Sequence, residues 1–281
     1  MNREQLDPFI EIALAEDVGD GDHSSLAVID ATATGDATLL VKQKGIIAGV
    51  EVARIVYEKI NNSIRFTGLI PDGADVLPGD RVFTITGQAI SILKGERLVL
   101  NIMQRMSGIA TATKKYTDAV SGFKARITDT RKTSPGMRYL EKEAVRIGGG
   151  TNHRMGLYDM IMLKDNHIDY AGGIEKAIEK THKYLKENNL DLKIEVEARD
   201  MDEVEQIIEA GGADRIMLDN FTLSQTKEAV KFIDGRLEIE SSGGITLDNV
   251  RDYAACDVDL ISIGALTHQL KSLDLSLKAS S

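Results

Sequence analysis

The sequence predicts an α/β protein of two domains, an N-terminal α/β sandwich followed by an α/β barrel, and three observations carry that prediction. Residues 126–264 alternate short apolar strand-like runs with helix-like stretches, six times over. The first hundred residues have a different pattern, one helical start and then β-rich pieces separated by turn-formers. No G-x-G-x-x-G follows a strand-like run, so a dinucleotide-binding fold has no direct support.

Each element has its own signal. Asp7 followed by Pro8 predicts a helix start, with Phe9, Ile10, Ala13 and Leu14 as its apolar face. "ATLLVKQKGIIAGV", "SIRFTGLI" and "DRVFTITGQA" read as β-rich, and the turn-rich "PDGADVLPGD" separates the last two. A long helix is expected over about 91–120, with Leu98, Ile102, Met106 and Ile109 on one face. Then come six strands with near-continuous apolar cores, "RITDT", "DMIMLKD", "LKIEVEA", "DRIMLDN", "LEIESSGG" and "LISIGAL". Helices are expected between them at about 138–147, 173–188, 201–210, 223–234 and 246–254. Repeated βα units of this kind build parallel sheets, and their number favours a barrel over an open sheet. The boundaries expected are 1–108 for the sandwich and 109–266 for the barrel, with 267–281 packing back on the first domain.

Composition narrows the function classes. With 281 residues, 42% of them hydrophobic, the chain can bury a large core, and no apolar run approaches the length of a membrane span. The charged start "MNREQLDPF" has no apolar signal core, and the single Cys256 cannot form an internal disulfide; both fit a cytoplasmic protein. A net charge of -10 argues against binding nucleic acid, whose phosphates demand a basic face. Against that background, residues 131–167 hold seven Lys or Arg and only four Asp or Glu. Lys142 and Arg146 fit a solvated helix face, whereas Arg131, Lys132, Arg154 and Lys164 need a ligand to explain them.

Barrel chemistry sits at the C-terminal strand ends, and the polar residues fall there. The ends carry Arg131 and Lys132, then Lys164 and Asp165, Glu197, Asp219 and Asn220, Ser241 to Gly244, and Gly264. Arg and Lys can clamp carboxylates. Glu197 and Asp219 are expected on neighbouring strands, where they can hold a divalent cation such as Mg²⁺, directly or through water, or cap the helices that follow. The glycine turns "SSGG" and "IGALTH" suit a phosphate, and equally suit simple tight turns. The loop "RIGGGTNHRMGLYD" adds His153 and Arg154 beside the cationic ends, a functional place for a histidine, whereas His182 on a charged helix reads as surface.

These motifs in order, "DTRKTSPGMR", "GGGTNHRMGL", "KDNHI", "EVEA", "LDNF", "ESSGG" and "GALTH", resemble the quinolinate phosphoribosyltransferase family, also called nicotinate-nucleotide pyrophosphorylases (carboxylating). "GERLVLNIMQRMSGIAT" and "EDVGDGD" extend the resemblance over nearly the whole chain. It implies an incomplete barrel of about seven strands. It also implies a type II phosphoribosyltransferase that makes nicotinate mononucleotide, pyrophosphate and CO₂ from quinolinate and phosphoribosyl pyrophosphate, in de novo NAD synthesis. By the same resemblance Arg131, His153, Arg154 and Lys164 surround the quinolinate carboxylates, and Lys132 lies between them and the pyrophosphate. Glu197 and Asp219 bind the ribose hydroxyls and Mg²⁺, so that Lys132, Glu197 and Asp219 are the expected catalytic residues. Ser242, Gly243, Gly244 and Gly264 hold the 5-phosphate with His268 nearby. Arg97 reaches into a neighbouring subunit's site in a homodimer or hexamer.

Three rival readings make different predictions. An aldolase-like enzyme would use Lys164 as a Schiff-base lysine, and the surplus of other cations argues against it. A related phosphoribosyltransferase would turn over nicotinate or another aromatic acid without releasing CO₂. A non-catalytic anion-binding protein would leave the paired carboxylates unexplained.

Overall fold

The computed structural model describes residues 2–280. In chain order the elements are α1 (Arg3–Val18), α2 (His23–Val28), β1 (Thr34–Val41), β2 (Gly45–Ile46), α3 (Val50–Ile60), β3 (Arg65–Gly68), β4 (Asp75–Val76), β5 (Arg81–Gln88) and α4 (Ala89–Ala119). They continue with β6 (Arg126–Thr128), α5 (Arg138–Ile147), β7 (Ile161–Leu163), α6 (Asp165–Ala171), α7 (Ile174–Glu187), β8 (Ile194–Ala198), α8 (Met201–Ala210) and β9 (Arg215–Asp219). Last come α9 (Leu223–Ile233), β10 (Glu238–Ser242), α10 (Val250–Ala254), β11 (Leu260–Ser262), α11 (Ala265–His268) and β12 (Leu275–Ser280). The chain divides into two compact units. The first is Met1–Lys114, Thr133–Gly149 and Leu266–Ser281; the second is Lys115–Lys132 and Gly150–Ala265.

In the first unit an antiparallel sheet runs in the order β12-β1-β5-β3, and β2 pairs with β4 as a separate ribbon. The C-terminal strand β12 therefore lies against β1, with Leu277 opposite Leu39. β1 buries Ala37, Leu39 and Val41 at every second position, the period of a strand with one face in the core. On α4 the spaced residues Leu98, Ile102, Met106 and Ile109 are all buried, as their helical spacing predicts. Burying one such side chain contributes about 1.5–3 kcal/mol.

Two sequence expectations change here. The helix α1 begins at Arg3, before Asp7-Pro8, because the Asn2 side chain accepts the Glu4 N–H at 2.9 Å and caps it. Pro8 is then inside α1 on an exposed face, where the carbonyl it leaves unbonded can meet water. Its buried residues are Leu6 and Ile10. Residues 133–149, between two barrel strands in sequence, group with the first unit. The fully buried Glu141 on α5 explains this, since it receives Arg105 Nε of α4 at 2.8 Å, and the same guanidinium donates to Ser134 Oγ at 2.8 Å.

The second unit is an all-parallel sheet of six strands in the order β6-β11-β10-β9-β8-β7. A single parallel bridge from Thr128 to Thr151 adds one rung beyond β6, so the seventh position of this barrel-like sheet is reduced to one residue. Helices α7, α8 and α9 follow β7, β8 and β9 as expected, with α8 capped by Asp200 and α9 by Thr222 in a capping box. The last helix is shorter than expected, Val250–Ala254, since residues 246–249 form a turn in which Asn249 Oδ1 accepts the Thr246 N–H at 2.7 Å. The strands are buried but not continuously apolar. Glu195 and Glu197 on β8 and Glu240 on β10 are all buried.

Candidate active site

Strand register decides which side chains share a face. Neighbours in a parallel sheet point the same way, and so do residues two apart on one strand. Met162 aligns with Glu195 and Arg215, while Glu197 aligns with Met217 and Glu240. Asp219 aligns with Ser242 at the next rung. The face thus carries a set of polar side chains that sort by their contacts into two layers, Glu197, Asp219 and Ser242 toward the strand ends and Arg215 with its neighbours Glu195 and Glu240 below, although Glu197 and Glu240 share a rung. Lys164 immediately follows β7 and its Nζ pairs with Glu197 Oε2 across the upper layer. Met160, Met162 and Met217 cluster in between, an apolar, polarizable lining beside the charges.

Arg131 and Arg154 are close enough to influence each other's charge. Arg154 donates from Nη1 to the Met160 carbonyl at 3.1 Å. Burial, then the nearby Arg131 cation, pulls the Arg154 pKa below its ordinary value. Arg131 Nε is buried without a hydrogen-bond partner. Two half-buried guanidiniums that repel each other are an electrostatic liability that an anionic ligand removes. Lys132 is exposed beside them, its N–H donating to Thr130 Oγ1 at 3.0 Å.

A residue the sequence reading passed over ties these segments together. Asp129, fully buried two residues before Arg131, accepts the His153 N–H at 2.9 Å and a hydrogen bond from Asn152 Nδ2 at 2.6 Å. The carboxylate therefore joins the Arg131 segment to the Arg154 segment. His153 lies with its side chain only 4% exposed, its Nε2 3.0 Å from Glu195 Oε2 and 3.3 Å from Glu240 Oε2. Its Nδ1 accepts the Arg154 N–H at 2.7 Å. The ring thus points into the lower layer, while the arginine next to it stands in the upper one.

The lower layer sets the Arg215 guanidinium among the carboxylates of Glu195, Glu238 and Glu240. Arg215 Nη1 lies 3.4 Å from Glu240 Oε2 and 3.7 Å from Glu195 Oε2. Burial and the like charge of Glu240 push Glu195 up to about 7. Burial would also raise Glu240, but hydrogen bonding and charge from His153 outweigh it and hold that carboxyl below its usual value. For His153, burial opposes charge and the two carboxylates overcome it, raising the pKa. The Arg154 N–H at Nδ1 acts against that rise, because an imidazolium has no lone pair to accept it. His153, Glu195 and Glu240 bring ligand atoms within 4.8 Å of one another, the geometry of a metal cluster, yet the Arg215 guanidinium already supplies the positive charge. The upper carboxylates fit a hard cation better. Glu197 and Asp219 are oxygen donors on adjacent strands, one oxygen of Glu197 held by Lys164 and one of Asp219 by Asn220 Nδ2 at 2.7 Å, leaving the other of each available.

The glycine turns follow two adjacent strands. Gly243 and Gly244 follow β10 directly, with φ of 89° and 60°. At Gly243 an added Cβ would stand 2.2 Å from Asn220 Oδ1, so the turn needs glycine for both conformation and space. Gly264 follows β11, the neighbour of β10. The other two expected site residues belong to the first unit: Arg97 is exposed on α4 and His268 is exposed at the end of α11.

Comparison with known proteins gives this geometry its family. The family described as quinolinate phosphoribosyl transferase, C-terminal domain, matches residues 109–278, and its N-terminal domain matches residues 22–107. The chain belongs to the quinolinate phosphoribosyltransferase family. Among similar proteins, a chloroplastic nicotinate-nucleotide pyrophosphorylase [carboxylating] of Arabidopsis thaliana is 45% identical, over 97% of this chain and 82% of that protein. A mitochondrial quinolinate phosphoribosyltransferase [decarboxylating] of Nicotiana glauca is 43% identical, with the same coverage. The crystal structure of NadC from Streptococcus pyogenes superposes with a TM-score of 0.93 at 38% identity, covering 100% of this chain and 99% of that one. As a member of the quinolinate phosphoribosyltransferase family the chain is an enzyme of the glycosyltransferase class serving NAD synthesis, and the reading as a nicotinate-specific relative is not favoured. No helix among the described residues is long and apolar enough to cross a membrane.

Proposed function

We propose that the strand ends of the second unit convert quinolinate and phosphoribosyl pyrophosphate to nicotinate mononucleotide, pyrophosphate and CO₂. The observation that carries this assignment of the site is the pair Arg131 and Arg154, two half-buried guanidiniums near enough to repel each other, with the Arg131 Nε buried and without a hydrogen-bond partner. A planar dicarboxylate answers both charges at once, which a monocarboxylate such as nicotinate does not. Lys164 completes the cationic rim, and Ser242, Gly243, Gly244 and Gly264 offer the adjacent turns for the 5-phosphate.

In the reaction the quinolinate ring nitrogen attacks C1 of the ribose while the C1–O bond to pyrophosphate breaks and its electron pair leaves with the oxygen. Arg131 and Arg154 hold the ring so that its nitrogen lone pair faces C1. Lys132 faces the departing charge and stabilises it by preorganised electrostatics. Glu197 and Asp219 would hold Mg²⁺, directly or through water, and the bound ion would supply further neutralisation of the pyrophosphate. Glu197 and Asp219 also accept hydrogen bonds from the ribose hydroxyls. The C2–carboxylate bond then breaks, its electron pair stays at C2 beside the cationic ring nitrogen, and a solvent proton fills that position. No protein nucleophile takes part.

The same proposal includes a homodimer or hexamer in which exposed Arg97 serves a neighbouring copy's site, and a reducing compartment such as the cytoplasm, which suits the buried thiol of Cys256. The test is a parallel assay of pyrophosphate and CO₂ release with quinolinate or nicotinate as acceptor. Stoichiometric CO₂ and pyrophosphate from quinolinate support the assignment. Equal turnover of nicotinate overturns the dicarboxylate clamp.

A further inference from the structure

We propose that Glu195 and Glu240 are positioning residues for the arginine clamp, holding His153 as its Nε2–H tautomer so that Nδ1 fixes the backbone of Arg154. The proposal rests on the reading of Arg131 and Arg154 as the quinolinate clamp. It also moves His153 from among the groups that touch substrate to the support beneath them.

The geometry leaves His153 little else to do. Both of its ring nitrogens are directed inward or along its own chain, Nε2 toward the two carboxylates at 3.0 and 3.3 Å and Nδ1 to the Arg154 N–H at 2.7 Å. An acceptor at Nδ1 requires a lone pair there, so the ring hydrogen belongs on Nε2. Two carboxylates stand within 3.3 Å of that nitrogen. Both are fully buried, each is on a strand whose next inward residue belongs to the upper layer, and Arg215 lies within 3.7 Å of both. Asp129 holds the other side of the same residue through the His153 N–H, and the Met160 carbonyl holds the far end of Arg154. A chain of contacts therefore runs from the barrel floor through one imidazole to the guanidinium. Metal ligands gain their orientation from a second hydrogen bond in the same manner. Here the oriented group is an arginine.

Two measurements test this. In protein labelled with ¹⁵N-histidine, NMR at neutral pH is expected to show His153 with a hydrogen on Nε2 and a bare Nδ1; a ring protonated on both nitrogens, or on Nδ1 alone, overturns the proposal. In steady-state kinetics, Glu240→Leu is expected to raise the quinolinate KM about tenfold and leave the KM for phosphoribosyl pyrophosphate within about twofold, while Glu240→Gln, which keeps an acceptor, stays within about threefold of the parent. Equal losses in Glu240→Leu for both substrates, or none, overturn it. If Glu240→Leu does not fold, His153→Asn decides, because its Oδ1 can accept the Arg154 N–H. Retention of quinolinate affinity in His153→Asn but not His153→Ala supports the strut, and equal loss in both returns His153 to direct contact with substrate. Failure of the catalytic assignment is separately visible, as a parent enzyme that releases no pyrophosphate from quinolinate whatever the His153 tautomer.

Discussion

The upper and lower polar layers of the barrel share β8, β9 and β10, two residues apart on β8 and β10 and four apart on β9, yet they differ in how their charges are met. The upper layer brings Arg131, Arg154, Lys132 and Lys164 together with only Glu197 and Asp219 against them, and Arg131 keeps a buried donor without a partner. In the lower layer Arg215 pairs with Glu238 at 2.8 Å and lies near Glu195 and Glu240, and His153 faces both of those buried carboxylates. The difference teaches where to look for substrate in a barrel full of charge. Excess positive charge at the strand ends is what the proposed function assigns to the substrates.

The comparison can be broken most directly from below. Glu240→Ala removes one of the two buried carboxylates that face His153 and one of the three around Arg215, and is expected to lower stability by about 3–5 kcal/mol in urea unfolding. The Glu240 carboxyl is held below its usual pKa in the folded state, so its contribution is present above the unfolded value and is lost as pH falls through the folded one. Melting temperature measured between neutral pH and pH 3 should therefore drop less steeply in Glu240→Gln than in the parent; parallel curves would show that this carboxylate is not charged in the fold. Lys132→Ala, in the upper layer, is expected to leave the melting temperature unchanged and to reduce turnover about 10²–10³-fold, the effect of losing one preorganised charge. Near-parental kcat and KM would remove Lys132 from the site. Gly243→Ala sits between the two classes, since it strains a left-handed turn and presses on Asn220. A loss of about 1–3 kcal/mol of stability with a raised KM for phosphoribosyl pyrophosphate is expected, and an unchanged KM would detach this turn from the phosphate. Smallest is Glu51→Gln, outside both layers. Arg54 holds the Glu51 carboxyl below its usual value, but the pair is solvent-screened, so about 0.5 kcal/mol is expected, present above pH 4.5 and lost in acid.

What the sequence made legible follows the same division. The upper layer could be read because a polar residue at the end of an apolar run, just before a helix, has few structural reasons to be there. Lys164, Glu197, Asp219 and Ser242 were all placed on that ground, and the helices at 138–147 and 201–210 fall at their expected residues. Glu195, Arg215 and Glu240 escaped because they lie inside the runs read as apolar cores. Their signal was present as charge at alternate positions, in "IEVEA", "RIMLD" and "EIESS", and two-residue spacing puts those charges on the same face as the strand-end residues. Asp129 was overshadowed by the cations after it. The inward turn of the His153 ring depends on which atoms of three strands surround it, information that lies in register and in no local pattern. The start of α1 was misread for the opposite reason, a strong local signal at Asp7-Pro8 outweighed by a cap five residues earlier.

The one-residue rung at Thr151 has a consequence for motion. A full strand would lock the segment that carries His153 and Arg154 into the sheet through a ladder of backbone bonds, whereas here the backbone bonds to the β6 segment are those of Thr151, and side chains, the Asp129 carboxylate and the His153 ring among them, supply further links. Local opening of residues 150–160 then need not unzip β8 to β10, and amide exchange should be fast along the segment while the central strands stay protected. The His153 amide would exchange only when Asp129 lets go. Its protection factor is thus a solvent clock for how often the clamp comes apart.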